Sequence, residues 1–166
     1  MSATISSINY CPVKSVSFQT IENCIIKKDI WIVSDRIFAF AKDLDKEQAK
    51  LFEKSPDDRK GKWNKVLTLK NSPVLNKYNF IFKDEKLTLT LKDKEILTID
   101  INQSEQREEL SNKISELESS LKQPITLMKN HEFPFFDTSI SNKVNFVNSV
   151  SLLNIQSIND FREKID

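Results

Sequence analysis

The sequence predicts a β-rich α+β fold: a small antiparallel β-barrel with one amphipathic helix packed on it and a short C-terminal α/β extension. Three observations carry this prediction. Short runs rich in Ile, Val, Phe and Thr alternate with polar turns through the first hundred residues. Leu87-Thr88-Leu89-Thr90-Leu91 alternates with the period of two that puts one face of a strand inside. Residues 104–122 carry a single apolar stripe at helical spacing. With 166 residues, 39% of them hydrophobic and 11 of them Phe, the chain is long and apolar enough to bury a core.

In chain order, Ile5 to Tyr10 opens as a short strand, and Val16 to Ile26 alternates in part through Val16, Phe18, Thr20 and Ile26. Trp31 to Phe40 is a β-rich run interrupted by Ser34, Asp35 and Arg36. Lys46 to Lys54 reads as a short helix and Ser55 to Lys62 as a polar loop. Val66–Leu69 and Tyr78–Phe82 read as strands. Asp84-Glu85-Lys86 turns into Leu87–Leu91, and Asp93-Lys94 turns into Ile96–Ile101. In 104–122, Leu110, Ile114, Leu117 and Leu121 share one face and Ser104 stands at the N-cap. Fewer than three heptads makes that stripe a face for the sheet rather than a coiled-coil seam. Pro124 stops the helix and Ile125–Met128 is the next strand. His131–Asn142 is a loop rich in Pro and Phe, Val144–Leu153 a strand, and Ser157–Lys164 an amphipathic helix with Ile158, Phe161 and Ile165 inward. The domain division that follows is 1–128 for the barrel and its helix, and 129–166 for the extension.

Composition removes several classes of function. A single glycine, Gly61, excludes the phosphate loops GxGxxG and GxxxxGK[ST], and assigns left-handed turns to Asn and Asp, for example Asn71, Asn76, Asn79, Asp93 and Asn102. The scarcity of Gly and the abundance of Lys, Ile and Asn match an A+T-biased genome. The 25 Lys and Arg against 24 Asp and Glu argue against nucleic-acid binding by bulk charge. No stretch approaches the ~18 apolar residues of a membrane span, and no signal peptide is visible, so a cytoplasmic protein is expected.

The lone His131, beside Glu132 and Asp137, excludes multi-histidine metal sites and reads as structural or solvated. Cys11 and Cys24 lack the basic surroundings that activate a thiol, apart from nearby Lys14, and read as inert. In Cys11-Pro12-Val13-Lys14-Ser15 a lysine and a hydroxyl stand side by side at a turn, a pair suited to a phosphate. Ser34-Asp35-Arg36 puts a charge pair inside an apolar strand, which is costly unless a partner or ligand satisfies it. On pattern alone it reads as a structural ion pair.

Tyr10-Cys11-Pro12-Val13-Lys14-Ser15, followed by Val33-Ser34-Asp35-Arg36-Ile37-Phe38-Ala39-Phe40, resembles the opening of proteins with a MOSC N-terminal β-barrel, which show a YPVKS-like turn and then a GDR-plus-aromatic strand. Val66-Leu67-Thr68-Leu69 through Pro73-Val74-Leu75 is similar to the family's next signature, and Leu87-Thr88-Leu89 to its LTL hairpin. His131, Phe133, Asp137, Lys143-Val144, Ser149–Asn154 and Ser157-Ile158 are similar to the start of the MOSC domain proper. The family binds molybdenum cofactor or handles its sulfur; it includes the C-terminal domain of molybdenum cofactor sulfurase, the mitochondrial amidoxime-reducing component and bacterial reductases of N-hydroxylated compounds.

The resemblance implies Lys14 and Ser15 at the cofactor's phosphate, Arg36 at the pterin or phosphate, and Asn154 and Ser157 at the next cofactor-facing turn. It also brings the family's proposed association with pyridoxal phosphate. Trp31 and Ser34 stand where the family has glycines, and the family's metal-ligating cysteine falls beyond the helix near Ser157. The expectation is therefore the molybdenum-cofactor-binding portion of a MOSC-type oxidoreductase or sulfur carrier. It lacks the metal ligand and any catalytic residue, is inactive alone, and is completed by a C-terminal MOSC segment or a redox partner. The alternative is a non-catalytic β-barrel binding or interaction domain.

Overall fold

The computed structural model describes residues 4–27, 31–121, 124–135 and 153–164. The period-two stretches become strands: β1 (Ile8–Tyr10), β2 (Gln19–Ile21), β3 (Ile26–Lys27), β4 (Trp31–Ile32), β5 (Phe38–Lys42), β6 (Tyr78–Lys83), β7 (Lys86–Leu91), β8 (Lys94–Asp100) and β9 (Ile125–Lys129). The helices are α1 (Lys46–Lys54), α2 (Ser104–Leu117) and α3 (Ile155–Arg162). Pairing is antiparallel within β1-β2, β3-β4, β5-β9 and β6-β7-β8. The fold is thus mixed α+β and rich in antiparallel sheet, and among the described residues the strand ladder does not close into a barrel.

The β6-β7-β8 meander follows directly from its sequence. Tyr78, Phe80 and Phe82 are buried while Asn79, Ile81 and Lys83 are exposed. Its two-residue connections, Asp84-Glu85 and Lys92-Asp93, hold all four φ angles positive, between 50° and 62°, the mirror-image turn whose twist matches the strands. Of the Asn and Asp residues assigned to left-handed turns, only Asp93 adopts one; the other non-glycine residues there are Ser15, Ser17, Ser34, Arg36, Asp43, Asp84, Glu85 and Lys92. Asn71 works through its side chain instead. It accepts the Thr68 N–H at 2.8 Å and donates to the Val66 carbonyl at 2.9 Å, drawing those backbone groups into a turn. Val66–Leu69 is accordingly not a strand, and Val66 alone bridges to Ala41.

α1 spans the residues expected of it, because Asp45 and Gln48 form a reciprocal cap that satisfies the first free N–H groups. α2 is shorter than the 104–122 stripe: Gln103 occupies the cap position, Ser104 is already helical, and the helix ends at Leu117. The reason lies at Glu118, whose buried carboxylate accepts a hydrogen bond from the Tyr78 hydroxyl and pairs with Lys77. That anchors the chain to β6 one turn before the apolar stripe runs out. Leu110 and Ile114 are fully buried, whereas Leu117 is half-exposed.

β5 has a core on both sides. Phe38 and Phe40 face a large cluster with Phe80, Phe82, Leu89, Leu110 and Leu127. Ala39 and Ala41 face a smaller one formed by Ala49, Phe52, Val66, Met128 and Phe135. Strand neighbours pointing to opposite faces explain the Phe-Ala-Phe-Ala pattern, since the α1 side leaves room only for methyl groups.

The helix near the C-terminal end differs from expectation. It begins at Ile155, capped by Asn154, and Ile158 and Phe161 are exposed rather than inward, at 41% and 65%. No residue of this helix is buried, and its hydrogen bonds among the described residues run within 153–164. Ile165 and nearly all of the expected Val144–Leu153 strand lie outside the described residues. No helix among the described residues is long and apolar enough to cross a membrane.

A candidate anion site at two paired turns

Two turns distant in sequence lie against each other at the start of β5. In the first, the Val16 N–H donates to the Val13 carbonyl at 3.1 Å, with Ser15 at φ 60° and Ser17 at φ 41°. In the second, the Asp35 N–H donates to the Ile32 carbonyl at 3.1 Å, with Ser34 at φ 72° and Arg36 at φ 52°. Three backbone bonds join them: Arg36 N–H to Cys11 O at 2.6 Å, Phe38 N–H to Pro12 O at 3.0 Å, and Lys14 N–H to Phe38 O at 2.8 Å. Pro12 lacks an N–H and so leaves none unpaired in this crossing. Four left-handed non-glycine residues within two turns concentrate strain of order 1 kcal/mol each. Ser34 adopts the conformation a glycine would take most cheaply.

Asp35 brackets the pair. It is buried; Oδ1 accepts the Cys11 N–H at 2.9 Å, while Oδ2 accepts Arg36 Nε at 2.8 Å and lies 2.6 Å from Nη2. The charge pair inside the apolar run is therefore satisfied within the protein. The Arg36 side chain keeps 29% of its surface exposed. Ser15 is half-buried. Lys14 is buried, its ammonium 5.5 Å from the centroid of Trp63, a cation–π distance. Main-chain bonds thus set the turn that carries Lys14 and Ser15 beside the one that carries Arg36. Asn154 spends its Oδ1 on the Gln156 N–H at 2.9 Å, and Ser157 is exposed on α3. Among the described residues no hydrogen bond or ion pair connects either of them to the paired turns.

The Cys11 thiol sits inside the first turn, with Sγ 2.7 Å from Val13 O and 3.0 Å from Val16 O. Burial, with a smaller contribution from Asp35, pushes it up to about 11. A protonated thiol facing two carbonyls is neither a nucleophile nor a metal ligand at neutral pH. Two results are expected. A thiol reagent at pH 7.5 labels the half-buried Cys24 promptly and Cys11 only as the protein unfolds. The raised Cys11 value also contributes stability in full below about pH 9.0, its ordinary value, and this is lost as pH rises towards 11. The loss is about 2–3 kcal/mol, read as falling urea midpoints. Replacing Cys11 by Ser should flatten that limb, and an unchanged alkaline limb would show that the thiol does not titrate in this range.

His131 is exposed, and partial desolvation with nearby Lys129 lowers its pKa against an opposing Glu85. It has no role in the paired turns. Arg59, placed by sequence in a polar loop, is by contrast 1% exposed. Nε donates to Phe52 O at 2.7 Å, Nη1 to Phe133 O at 2.7 Å and to Pro134 O at 3.1 Å, and the guanidinium lies 4.0 Å from the Phe135 ring centroid. Burial pulls it down to about 10, with Glu53 opposing, so it remains a cation at neutral pH. Asp-Asp-Arg-Lys carries no apolar period that would have shown this; the one available signal was Phe133-Pro134-Phe135, too apolar for a solvated loop.

The residue types in the paired turns, a part-exposed guanidinium, a hydroxyl and an ammonium, are those that hold an oxyanion such as a phosphate. They do not fit the metal end of a molybdenum cofactor, because the cysteine beside Lys14 is a buried thiol. Among the described residues no group of three or more His, Cys, Asp or Glu is arranged to hold a metal ion. A scan against known protein families, a search of characterised proteins and a search of solved structures return no match.

Proposed function

We propose that the paired turns are an oxyanion-binding element, and that the chain is the phosphate-binding portion of a MOSC-type molybdenum-cofactor protein. One observation carries this reading: Arg36 is bonded through its backbone to the turn that presents Lys14 and Ser15. In it, Arg36 and Ser15 donate to the cofactor's phosphate and Lys14 adds positive charge from behind, against Trp63. Asn154 and Ser157 offer a second contact from the first turn of α3. Redox chemistry belongs to the cofactor when bound; the residues of this chain hold and orient its anionic end, and none is assigned a catalytic role. Metal ligation and redox partnership fall to another segment or protein. The small barrel of the family and a cytoplasmic location belong to the same proposal. The core shared by β5, β9 and β6–β8 supports the first, and the two unpaired cysteines support the second.

Two or three charge-assisted contacts at ~1.5–3 kcal/mol each must offset an association cost of at least ~4 kcal/mol. Affinity for free phosphate should therefore be weak, in the millimolar range. The test is an NMR titration with inorganic phosphate and pyridoxal 5′-phosphate, following the backbone amides of both turns, in the protein and in Arg36→Gln. Saturable shifts that weaken tenfold or more in the variant are expected. Equal binding by both overturns the reading. A second reading, a non-catalytic interaction domain, is favoured by the exposed apolar side chains of Ile155 and Phe161 on α3, and absence of any saturable shift would select it.

A further inference from the structure

We infer that Arg59 is the positioning residue of the paired turns: it clasps the 133–135 segment and thereby holds the Phe135 N–H on the carbonyl of Arg36. This rests on the oxyanion reading of Arg36 and deepens it. The chain of contacts is continuous. Arg59 reaches the end of α1 at the Phe52 carbonyl, takes the Phe133 and Pro134 carbonyls with Nη1, and stacks on the Phe135 ring. Phe135 is fully buried, and its N–H donates to the Arg36 carbonyl at 2.8 Å. Asn130 reinforces the same segment, accepting the Glu132 and Phe133 N–H groups and donating to the Glu53 carbonyl.

The geometry asks for arginine in particular. Three carbonyls from two segments diverge around a flat cation that must also lie on a ring, and only a planar fork of donors meets both demands. A lysine offers one compact charge, and a methionine would fill the space without burying a cation. The arrangement is not the cheapest packing, because Arg59 Nη2 is buried with no acceptor among the described residues. What the clasp supplies is constraint on Arg36. That residue sits at φ 52°, a conformation a non-glycine side chain keeps only when its surroundings over-determine it. Its N–H is fixed by Cys11, its side chain by Asp35 and its carbonyl by Phe135. Releasing Phe135 frees the Arg36 carbonyl, so the backbone can relax from φ 52° and carry the guanidinium away from the first turn.

The test uses the full chain with Arg59→Lys and Arg59→Met, and Met128→Ala as a variant of the same small core outside the clasp. Hydrogen exchange is read at the Phe135 amide against the amides of central strand β7, together with the inorganic phosphate titration. In both Arg59 variants the Phe135 amide should exchange at least tenfold faster relative to β7, and phosphate should bind about fivefold more weakly. Met128→Ala should move all amides together and leave phosphate affinity unchanged. If Phe135 and β7 shift in parallel in the Arg59 variants, the clasp is overturned whatever phosphate does. If the clasp is seen but phosphate gives no saturable shift in the unmodified protein, the oxyanion reading falls, and with it any role for Arg59 toward a ligand.

Discussion

Replacing Asp35 by Ala should destabilise the protein by about 3 kcal/mol, while replacing it by Asn should cost about half as much and tighten phosphate binding. The carboxylate serves two clients, the Cys11 N–H and the Arg36 guanidinium. Alanine leaves a buried N–H without an acceptor, worth about 1–3 kcal/mol. It also removes the Asp35–Arg36 ion pair, a loss below the 3–5 kcal/mol of a fully buried pair because Arg36 remains part-exposed. Asparagine can still accept the Cys11 N–H through Oδ1, while its amide NH2, a donor, replaces the oxygen that Arg36 donates to, so the charge-assisted pair is lost but the buried N–H stays satisfied. It therefore stops competing with an incoming anion for Arg36, so stability and affinity move in opposite directions. Urea midpoints and the phosphate titration read the two. If affinity falls along with stability in Asp35→Asn, then Asp35 aims Arg36 rather than competing for it.

Phe38→Ala should cost about 4 kcal/mol, within the ~3–5 kcal/mol range for a buried phenylalanine and a large share of the ~5–15 kcal/mol that holds a domain together. Phe38 has no exposed surface and meets Phe82 edge-on, with ring centroids 5.4 Å apart at 74°. Its backbone also receives the Lys14 N–H and donates to Pro12, so a collapse at this ring reaches the paired turns as well as the core. The control is Phe18→Ala: that ring is 79% exposed and its loss should fall within about 0.5 kcal/mol. Chemical denaturation of both variants at constant slope decides. A loss under about 1.5 kcal/mol at Phe38 would mean that the large core relaxes around the hole.

What could be read in advance was what local chemistry decides. Lys46–Lys54 reads as a short helix, which the structure shows to be closed by its own neighbours Asp45 and Gln48, and β6–β8 read through alternation broken by charged turn residues. The Lys14–Ser15 turn and the Asp35–Arg36 pair each stood out as chemically unusual. That they are hydrogen-bonded to each other is a long-range fact with no local signal. Other features depend on partners far along the chain. α2 stops at Leu117 because Glu118 is held by Tyr78 and Lys77. Arg59 is buried because Phe133 and Pro134 return to it across more than seventy positions. The left-handed serines escaped because propensity favours Asn and Asp, whereas here the crossing of two turns dictates the backbone.

The pairing of β5 with β9 has a kinetic consequence. Phe38 lies opposite Lys129, across roughly ninety residues of intervening chain, whereas β6, β7 and β8 are joined by two-residue turns. Closing a loop that long costs conformational freedom before any contact rewards it. The meander with α2 laid on it is therefore the part able to form first, and β9 seals β5 late. In a stopped-flow experiment, Leu89→Ala in β7 should slow refolding. Leu127→Ala in β9 should leave refolding nearly unchanged and speed unfolding instead. The 133–135 segment follows β9 directly, so the Phe135 N–H would reach the Arg36 carbonyl only in that last step, and a nascent chain would carry the two turns without the clasp that closes over them.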